Sequence, residues 1–486
     1  MGLEDLRTDR FDNLDANREN DPRNEYQHDR DRLIHSAALR RLSGVTQVAD
    51  PLEGHNFHNR LTHTLKVMQI AQRIAEYLLR QQEQDHELGT IINKLGGLDP
   101  EVVQAAALAH DIGLPPFGHT GEEALNRSVS QYTLDGFEGN AQTFRIVTKL
   151  AVRMPEMAGL NLTRATLRAI QKYPWERESN PPPEKAIRNR KWGAYETERE
   201  ELAFARDLTA DFGRERMSLE AAIMDMADDI AYATHDLEDF YRAHMIPLRL
   251  LFAHNPRQRN GEWNLSDEAD DFLQYAEGRL QEPAMRERLD NDPDLIRRVF
   301  TERMWPFFYG IDADYRDTRV QKAYLRLVTA FMINRYVQSI RIDLRVADDP
   351  DARRVLYMAN DHESGDDNDD LLLEIKLLKY LTNFYVHHNR ALVTQQYGAQ
   401  KIISELFDIF FSTAINDDTP KEILPPDYKE LYDEEFQRIG GLGYVSQALH
   451  ARIVADIISR MTDGEAFRLH HRLTGHTLGL ATDFIL

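Results

Sequence analysis

Three stretches of the chain carry metal-ligating side chains into apolar surroundings. Leu108-Ala109-His110-Asp111-Ile112-Gly113 closes an apolar run that begins at Val102, so a histidine and an aspartate stand at the end of a segment whose pattern predicts a buried helix. Burying an ionised aspartate is costly unless it is paired or bound to a metal. Upstream, Asn59-Arg60-Leu61-Thr62-His63 opens a second helix, with an apolar stripe through Leu65, Met68, Ile70, Ala71, Ile74, Ala75 and Leu78. Downstream, Met226-Ala227-Asp228-Asp229-Ile230-Ala231-Tyr232 lies inside a third. A lone His-Asp dipeptide reads best as a hydrogen-bonded pair at a helix end, but here three helices each deliver a ligand type. His63, His110, Asp111 and Asp228 offer two imidazoles and two carboxylates, a set suited to Mn²⁺, Mg²⁺, Fe²⁺ or Zn²⁺ rather than Cu⁺. Four protein ligands leave positions open for water and substrate, as metal-assisted hydrolysis requires.

Placing such a set takes a helical scaffold, and the chain reads as all-α. Helical stripes recur over 102–112, 218–241, 321–344, 371–389 and 400–415, while alternating strand-like runs are scarce. Residues 1–30 are dense in charge and read as an exposed arm, 31–345 as a helical core, and 346–486 as a C-terminal helical region packed on it. Loops are expected at 174–193, around the Pro181-Pro182-Pro183 run, in the acidic stretch Asp348 to Asp370, and near Pro420 to Pro426. At 486 residues the chain can bury one large core or several smaller ones, and 42% hydrophobic with 29% charged residues is ordinary for a globular protein. It has no cysteine, which excludes disulfides, thiolate metal sites and a cysteine nucleophile. Neither a signal-peptide pattern nor an apolar run of about 18 residues is found, so no membrane span is expected and the cytoplasm is the expected compartment. A net charge of −22 argues against nucleic-acid binding by the surface at large, and an anionic substrate would need a locally positive pocket.

The words around the ligands go further. Arg40-Arg41-Leu42 with Thr46-Gln47-Val48, the Asn59 to His63 word, His110-Asp111-Ile112-Gly113-Leu114-Pro115-Pro116-Phe117-Gly118-His119-Thr120-Gly121-Glu122, Phe137-Glu138-Gly139-Asn140-Ala141-Gln142, and Ala227-Asp228-Asp229-Ile230-Ala231-Tyr232 with Asp236-Leu237-Glu238-Asp239 follow one another in order. Together they resemble the bacterial dGTP triphosphohydrolase family of the HD superfamily, strongly over about residues 28–245. The resemblance implies an HD helical fold and one divalent cation, Mn²⁺ or Mg²⁺ before Fe²⁺ or Zn²⁺, held by His63, His110, Asp111 and Asp228. It implies hydrolysis of a deoxynucleoside triphosphate, dGTP favoured, to deoxynucleoside and inorganic triphosphate by water attack on the α-phosphorus.

Residue roles follow from the same resemblance. Asp228, Tyr232 and Asp236 stand at i, i+4 and i+8 and share a helix face. That spacing favours Asp228 over Asp229 as the ligand, and the resemblance implies Tyr232 beneath the deoxyribose, with Asp236 at the 3′-hydroxyl. Gln47 is expected at the sugar as well. His119 and Glu122 form the expected catalytic dyad, since a carboxylate beside an imidazole raises its pKa and fixes its tautomer. Arg60, one turn before His63, and Lys191, with Tyr195 nearby, are expected at the phosphates, and Lys172, Lys185, Arg188 and Arg190 add basic charge around them. Leu114 and Phe137 stand where some relatives in the superfamily have histidines, which counts against a mechanism needing a third or fourth one.

Two other readings of the same residues stay open: another HD phosphohydrolase (a nucleotide monophosphatase, cyclic-dinucleotide diesterase or guanosine-tetraphosphate hydrolase), and a non-catalytic relative binding nucleotide or single-stranded DNA. The length and the Asp228/Tyr232/Asp236 face count against the first, and the complete ligand set against the second. The resemblance also implies a homo-oligomer, such as a hexamer, and single-stranded DNA as a second partner, which the net charge does not favour.

Overall fold

A computed structural model describes residues 2–12, 21–47, 58–155, 157–208, 215–252, 264–311, 313–344, 355–359, 370–386, 389–416, 418–438 and 446–477. Helices dominate, and among the described residues the sheet is confined to two short antiparallel strands, Ile340–Ile342 and Leu356–Met358, with Ile340 opposite Met358. The fold is therefore all-α, as its periodicities require. The helical stripe expected over 321–344 ends sooner: helix Arg319–Ser339 stops and Ile340–Ile342 pairs as a strand. The acidic stretch expected as one loop contains the second strand, and its last residue, Asp370, is buried against Arg288 at 2.6 Å. Residues 348–354 and 360–369 of that stretch, and Val48 of the Thr46-Gln47-Val48 word, lie outside the described residues.

Three helices form the frame of the site. Arg60–Gln82 packs on Pro100–Ala109 and on Leu219–Ala231. Each begins at a polar cap that satisfies first-turn N–H groups: Asn59 accepts from Thr62, Asp99 from Glu101, and Ser218 from Ala221. Pro100 follows its cap directly, where the missing N–H costs nothing. Val67, Ile70, Ile74, Val102, Val103, Leu108, Ile223, Ala227 and Ile230 meet at the centre with negligible exposure. This apolar cluster runs from Tyr26 to Leu392 and takes in helix Asp370–Tyr385. A second cluster joins helix Gly118–Val129 to the C-terminal helices Arg390–Ile415, Ser446–Ser459 and Asp463–Leu473.

The N-terminal segment is not the exposed arm its charge suggests. Leu3–Thr8 is helical, and Arg7, buried, bonds Glu220 Oε1 at 2.6 Å and also reaches the Gly96 carbonyl. Arg10 pairs with the fully buried Asp29 at 2.7 Å. Charge density was a poor guide because the charges are paired across helices, and paired charges can be buried.

Candidate metal and active site

The Asp228 and His63 side chains meet at 2.9 Å between Oδ1 and Nε2. His110 Nε2 lies 3.9 Å from the same Asp228 oxygen and 3.4 Å from Asp111 Oδ2. Ligand atoms of His63, His110 and Asp228 all fall within 4.8 Å of one another. Asp111, adjacent, turns Oδ2 to Arg60 Nη1 at 2.7 Å. His63, His110 and Asp228, 47 to 165 positions apart in sequence, thus converge, as a single-ion site demands.

The donor set fits a divalent cation. His110 Nδ1 is 2.7 Å from the Ala107 carbonyl, so Nδ1 carries the proton and Nε2 presents its lone pair to the cluster. That Nε2 is buried without a hydrogen-bond partner among the described residues. The carboxylates call for positive charge at this point. Burial opposes protonation of His110, but Asp111 and Asp228 outweigh it and lift the imidazole to about 9. Burial likewise works against ionising Asp111 and Asp228. His110 and Arg60 nevertheless hold Asp111 well below the usual carboxylate range, and His63 and His110 do the same for Asp228.

The HD turn depends on close backbone packing. A Cβ on Gly113 would come within 2.2 Å of the Gly139 carbonyl and the Thr143 nitrogen, so only glycine lets the turn seat against helix Gly139–Arg145. Arg41 then pins it, donating to the Ile112 and Leu114 carbonyls at 2.9 and 2.6 Å and to Met461 O at 3.0 Å. Next comes a left-handed step at Phe117 (φ 63°) and Gly118 that starts helix Gly118–Val129. The Phe117 N–H donates to Asp463 Oδ1 at 2.7 Å, and the other oxygen of Asp463 takes the Thr46 N–H at 2.8 Å. A C-terminal residue therefore fixes both loops flanking the ligands.

His119 and Glu122 meet at 2.7 Å between Nδ1 and Oε2, the imidazole 68% exposed and the carboxyl 9%. Glu122 Oε1 accepts from the Gly139 N–H at 2.9 Å. Lys191 Nζ lies 3.3 Å from Glu122 and 2.9 Å from Glu138. Burial pushes both acids up. His119 and then Lys191 reverse this for Glu122, which falls below its usual range, whereas Glu138 stays raised, with Glu122 beside it. Glu138 is also the N-cap of helix Gly139–Arg145, accepting from Asn140 N at 2.6 Å.

On the other side, the Leu219–Ala231 helix passes into a π turn, Tyr232–Asp236. In a regular α-helix each i+4 step overshoots by about 40°; the wider turn offsets part of that drift between Tyr232 and Asp236. Asp236 is buried, and its Oδ2 has no partner among the described residues. Burial and then Asp239 raise its pKa well above the ordinary value. Gln47 Oε1 is likewise buried and unpartnered.

Two expected phosphate contacts are placed otherwise. Arg60 is buried, with Nε on Thr46 O, Nη1 on Asp111 and Nη2 on Gln47 O at 3.1, 2.7 and 3.2 Å; its donors hold the site together. Tyr195 is not on an open surface at all: it is fully buried under the Arg452 guanidinium, 3.5 Å from the ring centroid, and its hydroxyl meets the Glu138 backbone. Sequence reasoning missed Asp463, Arg452 and Lys379; the last pairs with Asp229 at 2.5 Å. No local signal marks them, because each acts on a partner more than 140 positions away.

Known proteins bear on this geometry. An HD domain model matches residues 60–233, spanning all four expected ligands, and a phosphohydrolase-associated domain model matches 368–472. A deoxyguanosinetriphosphate triphosphohydrolase-like protein of Corynebacterium efficiens is 34% identical over 95% of this chain and 93% of its own length. Proteins of the same description from Streptomyces coelicolor and Shewanella pealeana are 32% and 31% identical, over 93% and 94% of each chain.

Proposed function

Because the chain belongs to the HD-domain family of deoxyguanosinetriphosphate triphosphohydrolase-like proteins, we propose that it hydrolyses deoxynucleoside triphosphates, dGTP favoured, to deoxynucleoside and inorganic triphosphate. At the coarser level it is a metal-dependent phosphohydrolase of the HD superfamily. The observation that supports the coarser reading is the convergence of His63, His110 and Asp228 within 4.8 Å; the finer one is supported by the names of the relatives and by the shared face of Asp228, Tyr232 and Asp236.

His63, His110, Asp111 and Asp228 would hold one divalent ion, Mn²⁺ or Mg²⁺. Bound there, such an ion polarises a phosphate oxygen and acidifies water. The chain's own residues do the rest. Arg60 keeps Asp111 ionised and aimed. Glu122, fixed by the Gly139 N–H, accepts a hydrogen bond from the His119 Nδ1–H, which leaves the Nε2 lone pair to orient the attacking water, take its proton and, as the imidazolium, return that proton to the departing 5′-oxygen. Asp236 and Gln47, with buried oxygens that have no partner among the described residues, bind sugar hydroxyls. A site built to bond a hydroxyl penalises an analogue lacking it, since the buried group is then left unpaired. Tyr232 lies beneath the deoxyribose. Lys191 and Lys172 supply positive charge for the phosphates.

The test is a product assay with the four dNTPs and GTP, under Mn²⁺ and under Mg²⁺, on wild type and His110→Ala. Deoxynucleoside with intact triphosphate is expected, with slow turnover of GTP and no activity in the variant. Pyrophosphate or phosphate as first product would assign the chain to another HD reaction, and full activity in His110→Ala would refute the site. The homo-oligomer implied by the resemblance is read from light scattering of the same preparation.

A further inference from the structure

Helix Asp370–Tyr385, from the C-terminal region, lies against the Tyr232–Asp236 turn. Its Lys379 reaches Asp229 Oδ1 at 2.5 Å, and the ammonium stands over the Tyr232 ring, 5.4 Å from the centroid. Stability does not explain this placement. The two charged side chains are 31% and 35% exposed, and pairs of that kind contribute little. The helix is already anchored by Leu371, Leu373, Ile375, Leu377 and Leu378 in the core, and by Glu374, which takes the Tyr336 hydroxyl at 2.6 Å. What Lys379 touches is more telling. Asp229 adjoins a metal ligand, and Tyr232 is the residue at which a 2′-hydroxyl would have to be refused.

We infer that Lys379 is a positioning residue for sugar selection: the Asp229 bridge sets its ammonium, and the ammonium fixes the Tyr232 ring and with it the clearance at the 2′ position. This rests on the reading of Tyr232 given under the proposed function. A ring excludes an added hydroxyl only to the extent that it does not yield, and an apolar wall by itself discriminates against such an addition by about a hundredfold. Tyr232 is partly exposed, so packing alone leaves it room to move. An ammonium held over its face removes that freedom at a strength of about 0.5–2 kcal/mol. Asp229 is one position beyond Asp228 on the helix, about 100° round, which lets it orient Lys379 without entering the metal site.

The experiment measures kcat and KM for the preferred dNTP and its ribonucleotide, by released triphosphate, in wild type, Lys379→Met and Lys379→Arg, with thermal unfolding of each. Lys379→Met is expected to raise the ribo-to-deoxy ratio of kcat/KM by about tenfold, mainly through the KM of the ribonucleotide, while kcat for the dNTP stays within about threefold. Lys379→Arg should restore the wild-type ratio. If Lys379→Met folds poorly, Asp229→Asn, which removes the bridge but keeps the lysine, should shift the ratio in the same direction. An unchanged ratio in a well-folded Lys379→Met overturns the inference, and so does an equal loss of kcat on both nucleotides, which would make Lys379 a phosphate contact. A wild type that turns over no dNTP sinks the proposed function, and this inference with it; a selective wild type with an equally selective Lys379→Met sinks the inference alone.

Discussion

Replacing Arg60 separates holding the site together from binding substrate. The guanidinium is buried and meets Asp111 at 2.7 Å and the carbonyls of Thr46 and Gln47 at 3.1 and 3.2 Å. Arg60→Met leaves the Asp111 carboxylate with His110 as its remaining close cation and strands two carbonyls. Removing one partner of a buried pair costs about 3–5 kcal/mol. Arg60→Lys keeps the charge, but one ammonium cannot reproduce a planar fork reaching three acceptors; losing two neutral hydrogen bonds costs about 2 kcal/mol. Urea unfolding of metal-free protein should therefore rank wild type above Arg60→Lys, and Arg60→Lys above Arg60→Met. Saturating Mn²⁺ supplies a new positive charge beside Asp111, so it should stabilise Arg60→Met more than wild type. If Arg60→Met is as stable as Arg60→Lys without metal, or Mn²⁺ stabilises all three equally, Arg60 does not hold Asp111 in the way described.

Three other outcomes are expected. His110, raised to about 9 by Asp111 and Asp228 against its burial, should contribute stability that is complete below its ordinary value of about 6.5 and lost as pH rises through about 9. Asp111 and Asp228, held low, should contribute stability present above about pH 4 and lost as pH falls through their depressed values. Thermal unfolding of metal-free protein should thus show both limbs, and His110→Ala should abolish the alkaline one; an unchanged alkaline limb would contradict the assignment. Glu122→Gln and His119→Ala should each lower kcat by about 10²–10³-fold, and the double variant by no more than the worse single one, because the two act as a unit; multiplicative losses would show that they act separately. Arg7→Met should cost about 3–5 kcal/mol in urea unfolding by stranding the buried Glu220, and a loss below about 1 kcal/mol would show that the N-terminal helix is dispensable.

The candidate ligands stand out in the sequence because their chemistry conflicts with their surroundings: His110 and Asp111 end an apolar helix, and Asp228 interrupts another. Such conflicts mark functional sites. The helical class was legible for the same reason that its boundaries were not. Periodicity identifies a face, but the end of helix Arg319–Ser339 is set by pairing of Ile340–Ile342 with a strand beyond a long connection. Charge misled where its pairing is distant. Arg7 and Glu220 lie 213 positions apart, and nothing near Arg7 says that it is buried. Tyr195 shows the limit of a motif, since the Lys191 to Tyr195 word fixed the backbone while the tyrosine turned inward to hold Glu138.

The locally positive pocket expected within a chain of charge −22 takes an unexpected form. Its cations are already paired: Lys191 with Glu122 and Glu138, and Lys172 with Asp225. On the proposed function, a polyphosphate does not enter a bare field; it has to take lysines from carboxylates. With about four charges it can outcompete a single carboxylate for each, since at a few ångströms an interaction in partly buried surroundings is of order 4 kcal/mol. The carboxylates left behind then need compensation of their own. Glu138, already raised by burial and by Glu122, can take up a proton, and a divalent ion answers for Asp111 and Asp228. On the proposed function, substrate binding is therefore coupled to metal and proton uptake at neighbouring carboxylates. The remaining net charge, screened beyond about 8 Å at physiological salt, weighs far less on affinity than these local exchanges.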